Sequence, residues 1–421
     1  MERSESPIAW GACGWGEGSD WHAALQAALA GLSASQAPPA PSAAAPDLVC
    51  LFASAAYGQD IQALLKEVQG ATGAKLVTGC SGWGVIGGTR ELEDRPALSL
   101  LALSLPGATF TPVRLSPSQV DRAPPPGTEP AADYWQRHTT VSSIAVNAWL
   151  LFVDPFSLDA EALVNGLAAA YPAVPLVGGL ASGDPAARTS HLFLNAEAYH
   201  SGAVAIALGG GWTVETVVSQ GCTPIGRPWT ITGVDGPFVR MIARRPAYEV
   251  LVDTVKGLPE ALRARVRGNL FAGLAMDERR TSLQRGDFLI RNLHGADPST
   301  GALLLGGEAQ LGQTIQFQLR DAEAADEDFH ALLQGLPALL DGRRPAGALL
   351  CSCTGRGAGL FGTPDHDAGA VGQHLGPLPA AGFFCNGEIG PIGGRNFIHG
   401  YTASLALFVP VALRSGRELK A

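Results

Sequence analysis

The sequence predicts a two-domain α/β protein in which layers of helices pack on mixed and antiparallel sheets built from repeated β-α-β-β units. An apolar run of strand length occurs three times, at residues 48–54, 148–154 and 348–354. An amphipathic segment and a second strand that leads into a glycine turn follow each run. Phe52 and Gly79 are as far apart along the chain as Phe152 and Gly179. Regular spacing of this kind indicates a supersecondary unit that is used several times.

Composition limits the classes of protein that fit. With 421 residues, 46% hydrophobic and 16% charged, the chain has enough apolar residues for a large core. A net charge of −9 argues against nucleic-acid partners, which need a basic patch. Seven cysteines without a C-x-x-C pair favour reduced thiols. No signal peptide and no apolar run of about 18 residues is evident, so we expect a cytoplasmic protein without membrane insertion.

Apolar stripes predict one helix in each unit. Positions i, i+3, i+4 and i+7 are apolar or small in all three, which buries one helix face; the sets are Ile61, Leu64, Leu65 and Val68, then Ala160, Leu163, Val164 and Leu167, then Ala368, Val371, Gly372 and Leu375. Asp60, Ser157 and Asp367 are the predicted N-caps. Gly70 and Gly376 are the predicted helix ends. A third apolar strand closes each unit, at residues 97–104, 202–208 and 402–409.

The remaining segments set the predicted domain boundaries. Residues 1–46 contain a helix at 21–32 and a Pro/Ala-rich linker. Short alternating segments between the second and third units predict antiparallel strands, at residues 212–219, 288–292, 302–305 and 314–319, before an amphipathic helix at 329–340. The predicted division is 1–46 for the N-terminal segment, 47–236 and 237–412 for two domains, and 413–421 for a tail.

The segment 351–357, with the sequence CSCTGRG, is the first candidate binding site. A buried strand ends there in small residues whose backbone N–H groups can bind an anion, and Arg356 can bind a carboxylate through two hydrogen bonds. In the alternative, Arg356 pairs with a structural carboxylate. Cys353 beside Arg356 is a candidate reactive thiol, or a small buried apolar residue. Thr354 offers a polar contact.

The second candidate is the glycine-rich segment 382–391, which surrounds one acid, Glu388. A buried carboxylate needs a partner, which is Arg356, backbone N–H groups or the amine of a ligand; a structural ion pair is the alternative. Asn386 lies in the same segment. His399 precedes the last strand and can line a pocket. Cys353, His399 and Glu388 also have the residue types of a cysteine-hydrolase triad.

The third candidate is the constrained segment 219–226, in which Ser219 and Gln220 are polar and follow a strand. Segments 79–84 and 178–184 take equivalent places in the first two units. Because ligands of α/β sheets commonly bind beyond strand ends, all of these segments are candidate sites. The alternative is that their glycines only provide positive φ angles.

Taken together, these motifs resemble the FIST family. The resemblance is carried by GCSGWGVI at 79–86, LVGGLASGD at 176–184, VSQGCTPIGRPWTIT at 218–232, DFLIRNL at 287–293, CSCTGRG at 351–357 and GFFCNGEIGPIGG at 382–394. It covers residues 47–410 and implies a FIST N-like domain at 47–236 and a FIST C-like domain at 237–412. Trp83 and Val85-Ile86 depart from the usual family pattern in the first unit.

The resemblance implies a sensory module for signal transduction that binds a small ligand, such as an amino acid. We expect a binding protein rather than an enzyme, with an anionic or zwitterionic ligand. Arg356 would hold a carboxylate, and Glu388 would bind an amine or position Arg356. The other predicted contacts are Ser219, Gln220, Thr354, Asn386 and His399. One alternative is a haem-binding nitric-oxide sensor that regulates a histidine kinase, with His191 or His399 as the haem ligand. The other is an enzyme that uses Cys353.

Overall fold

The computed structural model describes residues 8–35, 45–183, 188–280, 282–307 and 309–412. The chain forms two compact units. Among the described residues, the first lies within 8–218, 332–398 and 403–412, and the second lies within 219–331 and 399–402. Most of the predicted Pro/Ala linker and the predicted tail at 413–421 lie outside the described residues. The boundary at 236/237 stays a prediction, because compactness and family motifs divide a chain by different criteria.

The first repeat has the predicted β-α-β-β core and begins with an additional strand. Its elements are β1 (Trp10–Glu17), α1 (Trp21–Ser35), β2 (Leu48–Ser54), a 3-10 helix (Ala55–Tyr57), α2 (Ile61–Thr72), β3 (Val77–Gly82), β4 (Val85–Gly87), β5 (Arg90–Leu92) and β6 (Ala97–Ser104). The central strands β2 and β3 are parallel, and β6 pairs antiparallel with β2 and with β1.

The second repeat has the same pairing. Its elements are β7 (Ala108–Leu115), α3 (Pro117–Asp121), α4 (Glu129–Thr139), β8 (Ala148–Val153), α5 (Ala160–Ala170), β9 (Leu176–Leu180), β10 (Leu192–Leu194), β11 (Glu197–Tyr199) and β12 (Ala203–Gly210). Strands β8 and β9 are parallel, and β12 lies between β8 and β7.

The third repeat is interrupted by the second compact unit. It begins with β13 (Trp212–Ser219). The insertion contains β14 (Cys222–Pro224), β15 (Trp229–Asp235), β16 (Phe238–Ile242), β17 (Arg245–Pro246), α6 (Ala247–Lys256), α7 (Glu260–Arg265), β18 (Leu270–Ala275), β19 (Phe288–Asp297), β20 (Ala302–Leu305) and β21 (Thr314–Arg320). The repeat resumes with α8 (Ala322–Leu340), β22 (Gly347–Cys353), α9 (Ala358–Phe361), α10 (His366–Leu375), β23 (Ala380–Cys385), β24 (Glu388–Ile392), β25 (Arg395–His399) and β26 (Ala403–Pro410).

The insertion is an antiparallel sheet whose strands run in the order β15-β16-β20-β19-β18-β21. Because β21 pairs with both β18 and β15, this sheet closes on itself. Ile231, Val239 and Phe317 belong to its buried core.

Hairpins are exchanged in a cycle among the three repeats. The β4–β5 hairpin of the first repeat pairs with β23 of the third, the β10–β11 hairpin of the second pairs with β3 of the first, and the β24–β25 hairpin of the third pairs with β9 of the second. Each of the three six-stranded sheets therefore contains strands from two repeats. The α/β fold predicted from the sequence is confirmed, but the exchange was not predicted.

One apolar core receives side chains from all three sheets. Phe52 stacks on Phe383 with ring centroids 5.0 Å apart, and Phe152 lies 5.7 Å from Phe52 and 6.2 Å from Phe383. Aromatic pairs at these distances contribute beyond the apolar area that they bury. The helices α1 and α2, and α4 and α5, cover the opposite faces of the first two sheets.

The glycines predicted to begin turns lie within strands. Gly79, Gly178 and Gly382 occupy equivalent places in β3, β9 and β23. A Cβ atom at these positions would lie 1.9, 2.1 and 1.7 Å from the carbonyl oxygens of Leu51, Leu151 and Leu350. The repeated glycine is therefore explained by the close approach of two backbones, and the turn prediction is wrong for these residues.

The predicted helices are present, but several of their ends differ. α2 continues beyond Gly70 to Thr72 and ends at Gly73, which has φ 62°. The N-cap of α5 is Asp159, whose side chain accepts a hydrogen bond from Ala162 N, rather than Ser157. Asp365 rather than Asp367 is the N-cap of α10, whereas its end at Gly376 is confirmed. Among the described residues, the helices are too short or too polar to span a bilayer.

Candidate functional site at the strand ends

Three segments that follow strands β3, β9 and β23 meet within the first compact unit. The Trp83 backbone N–H donates to Ser182 Oγ over 2.6 Å, and this hydroxyl donates to the Phe384 carbonyl. The Asn386 amide donates to the Ala181 carbonyl over 3.3 Å. Segments that are more than 90 residues apart along the chain are thus joined by hydrogen bonds at the carboxyl ends of the parallel strands. Ligands of α/β proteins commonly bind at such an edge.

An open cavity of about 410 Å³ lies beside this junction. We call it the strand-end cavity; it is lined by Ser54, Ala55, Ala56, Gly82, Trp83, Asp94, Arg95, Pro96 and Gly183. Ser54 ends β2 and caps the following 3-10 helix by accepting a hydrogen bond from Ala56 N over 3.3 Å. The first and second repeats both contribute to the lining. The volume is in the range of sites for small ligands.

Trp83, Asp94 and Arg95 give the strand-end cavity its chemistry. The Trp83 side chain is 46% exposed although it is large and apolar, and its indole N–H donates to Asp94 Oδ1 over 3.1 Å. Arg95 forms an exposed ion pair with Glu17 at 3.1 Å. A cation, an anion and an aromatic ring are therefore accessible at one cavity. Exposed pairs of this kind contribute little to stability, so a ligand can replace them at small cost.

Sequence reasoning missed Asp94 and Arg95. Their signal is three consecutive charged residues, 93–95, directly before a strand of apolar residues in a chain with few charges. Nothing in the sequence places this segment beside Ser54 or Gly183, because the hairpin exchange brings the second repeat to the end of β3.

The Arg356 side chain is fully buried and paired with Asp367. Arg356 Nε and NH2 donate to the two carboxylate oxygens of Asp367 over 2.7 and 2.8 Å. Ser352 Oγ also donates to this carboxylate over 2.7 Å. Burial favours the neutral forms of both groups, but their mutual attraction outweighs it: the pKa of Asp367 is lowered and that of Arg356 is raised. Asp367 is thus a structural carboxylate that pairs with Arg356, as the alternative interpretation of this arginine expects. A ligand role for Arg356 stays a prediction.

Glu388 is fully buried at a position where the other repeats have apolar residues. The first residue of its hairpin pairs with Gly179, just as Val85 pairs with Phe383 and Leu192 pairs with Cys80. The Cys385 thiol donates to Glu388 Oε1 over 3.1 Å. Burial and the nearby Glu388 charge together raise the pKa of Cys385 well above its ordinary value. Glu388 also contributes to the raised pKa of Arg356, which places the two predicted residues in one electrostatic neighbourhood.

The other predicted residues of the third repeat lie near this pair. Cys353 ends β22 and is 8% exposed, and the Gly355 N–H lies 3.5 Å from its sulfur. Thr354 is exposed, and its backbone N–H donates to the Cys385 carbonyl over 3.0 Å. Asn386 is exposed as well. The sequence therefore correctly places these residues at strand ends.

Ser219, Gln220 and His399 belong to the second compact unit. Ser219 donates to Asp328 Oδ2 over 2.7 Å, and the Gln220 side chain bonds to the backbone of β19 at Phe288 and Ile290. These contacts fix both side chains inside the protein. His399 is buried. Their roles in ligand binding stay predictions.

A haem would need a histidine that reaches an accessible cavity. Neither the strand-end cavity nor a second open cavity, at the end of α4, has a histidine in its lining. His191 is buried against the ring of His200 at 4.6 Å, and burial lowers its pKa to about 4. Haem binding stays a prediction, as does the regulation of a histidine kinase. No group of three or more potential metal ligands occurs in the described part of the chain.

Comparison with known proteins decides the family. The FIST N domain matches residues 47–245 and the FIST C domain matches residues 247–391. The chain belongs to the FIST family. The predicted family and its two-domain architecture are therefore confirmed. FIST domains are sensory domains of signal transduction.

Relatives of this FIST protein include uncharacterised mycobacterial proteins. One from Mycobacterium tuberculosis is 38% identical over 365 residues, which is 86% of this chain and 91% of the relative. One from Mycobacterium bovis is 38% identical over 366 residues, which is 87% and 91% of the two chains. A crystal structure of a cyanuric acid hydrolase from A. caulinodans aligns over 96% of this chain and 99% of that one, with 12% identity and a TM-score of 0.34. That likeness is too low to support an argument.

Proposed function

We propose that this FIST protein senses a small zwitterionic metabolite, such as an amino acid, by binding it in the strand-end cavity. The observation that carries the proposal is the accessible combination of Arg95, Asp94 and the Trp83 indole beside one cavity of about 410 Å³. The ligand carboxylate binds Arg95 and its ammonium group binds Asp94. The indole covers the apolar part of the ligand and its cation.

The proposal assigns the ligand carboxylate to Arg95 rather than to Arg356. The guanidinium of Arg356 already makes two hydrogen bonds with Asp367 in the protein interior, and a ligand would have to break a buried ion pair. The exposed pair of Arg95 and Glu17 opens more easily. Arg356 and Glu388 then support the third repeat from inside. The protein then acts by binding its ligand, without a catalytic step.

The experiment is isothermal titration of the full chain with a panel of amino acids and with matched amines and carboxylic acids. We expect an amino acid to bind, and both single-charge analogues to bind at least about tenfold more weakly, because each loses one charge-assisted hydrogen bond. Arg95→Gln should weaken binding by about tenfold or more. Arg279→Gln, which changes an exposed arginine of the second unit, is the matched control.

Two results would refute the proposal. If Arg95→Gln and Arg279→Gln bind the ligand as the unchanged protein does, the strand-end cavity is not the site. If the folded protein binds no amino acid of the panel, the ligand class is wrong. Thermal unfolding of each variant confirms that the protein under test is folded.

A further inference from the structure

We propose that Cys353 and Cys385 form an oxidant-sensitive dithiol, in which a peroxide oxidises Cys353 and Cys385 closes the disulfide while Glu388 accepts its proton. Both cysteines are thiols in the structure. This site is separate from the binding of a metabolite in the strand-end cavity and does not depend on it.

Register and side-chain direction place the two thiols together. Cys353 of β22 pairs directly with Cys385 of β23 in a parallel ladder. Neighbouring strands lie about 4.8 Å apart, within the Cα separation of about 4.4–6.8 Å that a disulfide accepts. Paired residues of a parallel ladder project to the same face of the sheet. Cys353 is also among the groups that raise the pKa of Cys385, after burial, Glu388 and Cys351, in agreement with the placement that the register gives.

Exposure assigns a different role to each sulfur. Cys353 is 8% exposed at the strand end, whereas Cys385 is 0% exposed. A peroxide from solvent therefore reaches Cys353 first. The Arg356 charge lies near this sulfur, since Cys353 contributes to the raised pKa of Arg356, and the Gly355 N–H also approaches the sulfur at 3.5 Å. Both contacts favour the thiolate, which is the form that reacts.

Glu388 supplies the base that the buried thiol needs. Burial raises the pKa of Cys385, so its thiol does not ionise readily without help. Its proton already points to Glu388 Oε1 at 3.1 Å. The carboxylate can accept this proton as the Cys385 sulfur attacks. Val85 and Leu192, at the equivalent positions of the other repeats, offer no such base.

The reaction is balanced with one peroxide. The Cys353 thiolate attacks a peroxide oxygen, the O–O bond breaks, and a sulfenic acid forms as the other oxygen leaves and takes up a proton as water. The Cys385 sulfur then attacks the Cys353 sulfur while its proton passes to Glu388. The S–O bond breaks, hydroxide leaves as water after protonation, and the S–S bond forms. Two thiols and hydrogen peroxide give one disulfide and two water molecules.

The equivalent positions of the other repeats show that the fold does not need thiols there. At the position of Cys353 the first repeat has Ser54 and the second has Asp154. At the position of Cys385 they have Gly82 and Ala181. Only the third repeat combines two thiols with an acid at the neighbouring hairpin. The pairing is therefore a property of this repeat rather than of the shared architecture.

The test treats the full chain with hydrogen peroxide and maps the products by mass spectrometry. We expect the loss of two hydrogen masses and a cross-link between the tryptic peptides that contain Cys353 and Cys385, which a thiol reductant reverses. Cys353→Ser should abolish the cross-link. Cys351→Ser, which removes a more deeply buried thiol of the same peptide, should preserve it.

Two further variants test the roles of the partners. Cys385→Ser should leave Cys353 as a sulfenic acid that a dimedone probe traps and that further peroxide converts to sulfinic acid. Glu388→Gln should slow disulfide closure by about tenfold or more while Cys353 is still oxidised at an unchanged rate. The proposal is refuted if the cross-link forms in Cys353→Ser, if it is lost in Cys351→Ser, or if the folded unchanged protein gives sulfinic acid without a cross-link.

Discussion

Arg356 binds Asp367 through two hydrogen bonds of 2.7 and 2.8 Å in the interior of the first compact unit. This buried pair predicts that Asp367→Asn lowers the free energy of unfolding by about 3–5 kcal/mol, because an uncompensated guanidinium remains in the core. Denaturant titration measures the loss. Asp277→Asn, which removes the partner of an exposed arginine, should change stability little, because solvent screens exposed ion pairs. Equal effects of the two substitutions would contradict a structural role for the buried pair.

The ionisation of Glu91 should make the free energy of unfolding depend on pH. Its carboxylate accepts a hydrogen bond from Ala368 N at the start of α10, and burial, followed by the charge of Asp367, raises its pKa to about 8. The folded protein therefore holds a proton that the unfolded chain releases near pH 4.5. Stability falls as the pH rises from about 4.5 to 8, by about 1.4 kcal/mol per pH unit.

The measurement is denaturant unfolding of the unchanged protein and of Glu91→Gln across this pH range. Glutamine retains an acceptor for the Ala368 N–H but does not titrate, so the variant should lose the slope that Glu91 contributes. Glu67→Gln, at an exposed carboxylate of α2, is the control and should retain it. A parallel pH dependence in the unchanged protein and in Glu91→Gln would show that Glu91 does not titrate as described.

Adding one methyl group at a strand glycine should lower the free energy of unfolding. Gly382→Ala would place a Cβ atom 1.7 Å from the Leu350 carbonyl oxygen, so β22 and β23 would have to separate. We expect a loss of stability of about 2 kcal/mol or more, in the range of overpacked cores. Gly335→Ala in α8, where a Cβ atom meets nothing within 4 Å, should be neutral or stabilising by up to about 1 kcal/mol. Thermal unfolding of both variants distinguishes them, and similar melting temperatures would disprove the close approach.

Haem binding can be tested directly. If a histidine holds a haem, titration of the full chain with haemin should give a sharp Soret band, and His191→Ala or His399→Ala should lose it. If only the broad absorption of unbound haemin appears, the haem alternative is wrong. His138→Ala, at a partly buried histidine of α4, is the control for loss of a histidine alone.

Local patterns predicted the repeated elements of the fold well. Apolar runs and helical stripes placed β2, β6 and β20 at their observed bounds and located α2, α5 and α10. These elements depend on side-chain periodicity, which the sequence records directly. The pairing partners of the strands could not be predicted in this way. The hairpin exchange depends on pairing between residues more than 100 positions apart, such as Glu388 with Gly179, and periodicity carries no information about that choice.

The sequence predicted only part of the candidate site, because periodicity does not record tertiary contacts. The sequence singled out Arg356, Glu388 and Cys353, and the structure places them in one neighbourhood. It could not identify Asp367 as the partner of Arg356, because a carboxylate at the start of a helix is equally explained as a cap. Asp94 and Arg95 were missed because their setting is created by tertiary contacts with the second repeat.

A crystal structure of the protein saturated with the amino acid that binds most tightly would show whether a zwitterion occupies the strand-end cavity. We expect density between Trp83 and Arg95, with the carboxylate at Arg95 and the ammonium group at Asp94. Density at Arg356, or an empty strand-end cavity in a saturated crystal, would refute this binding site.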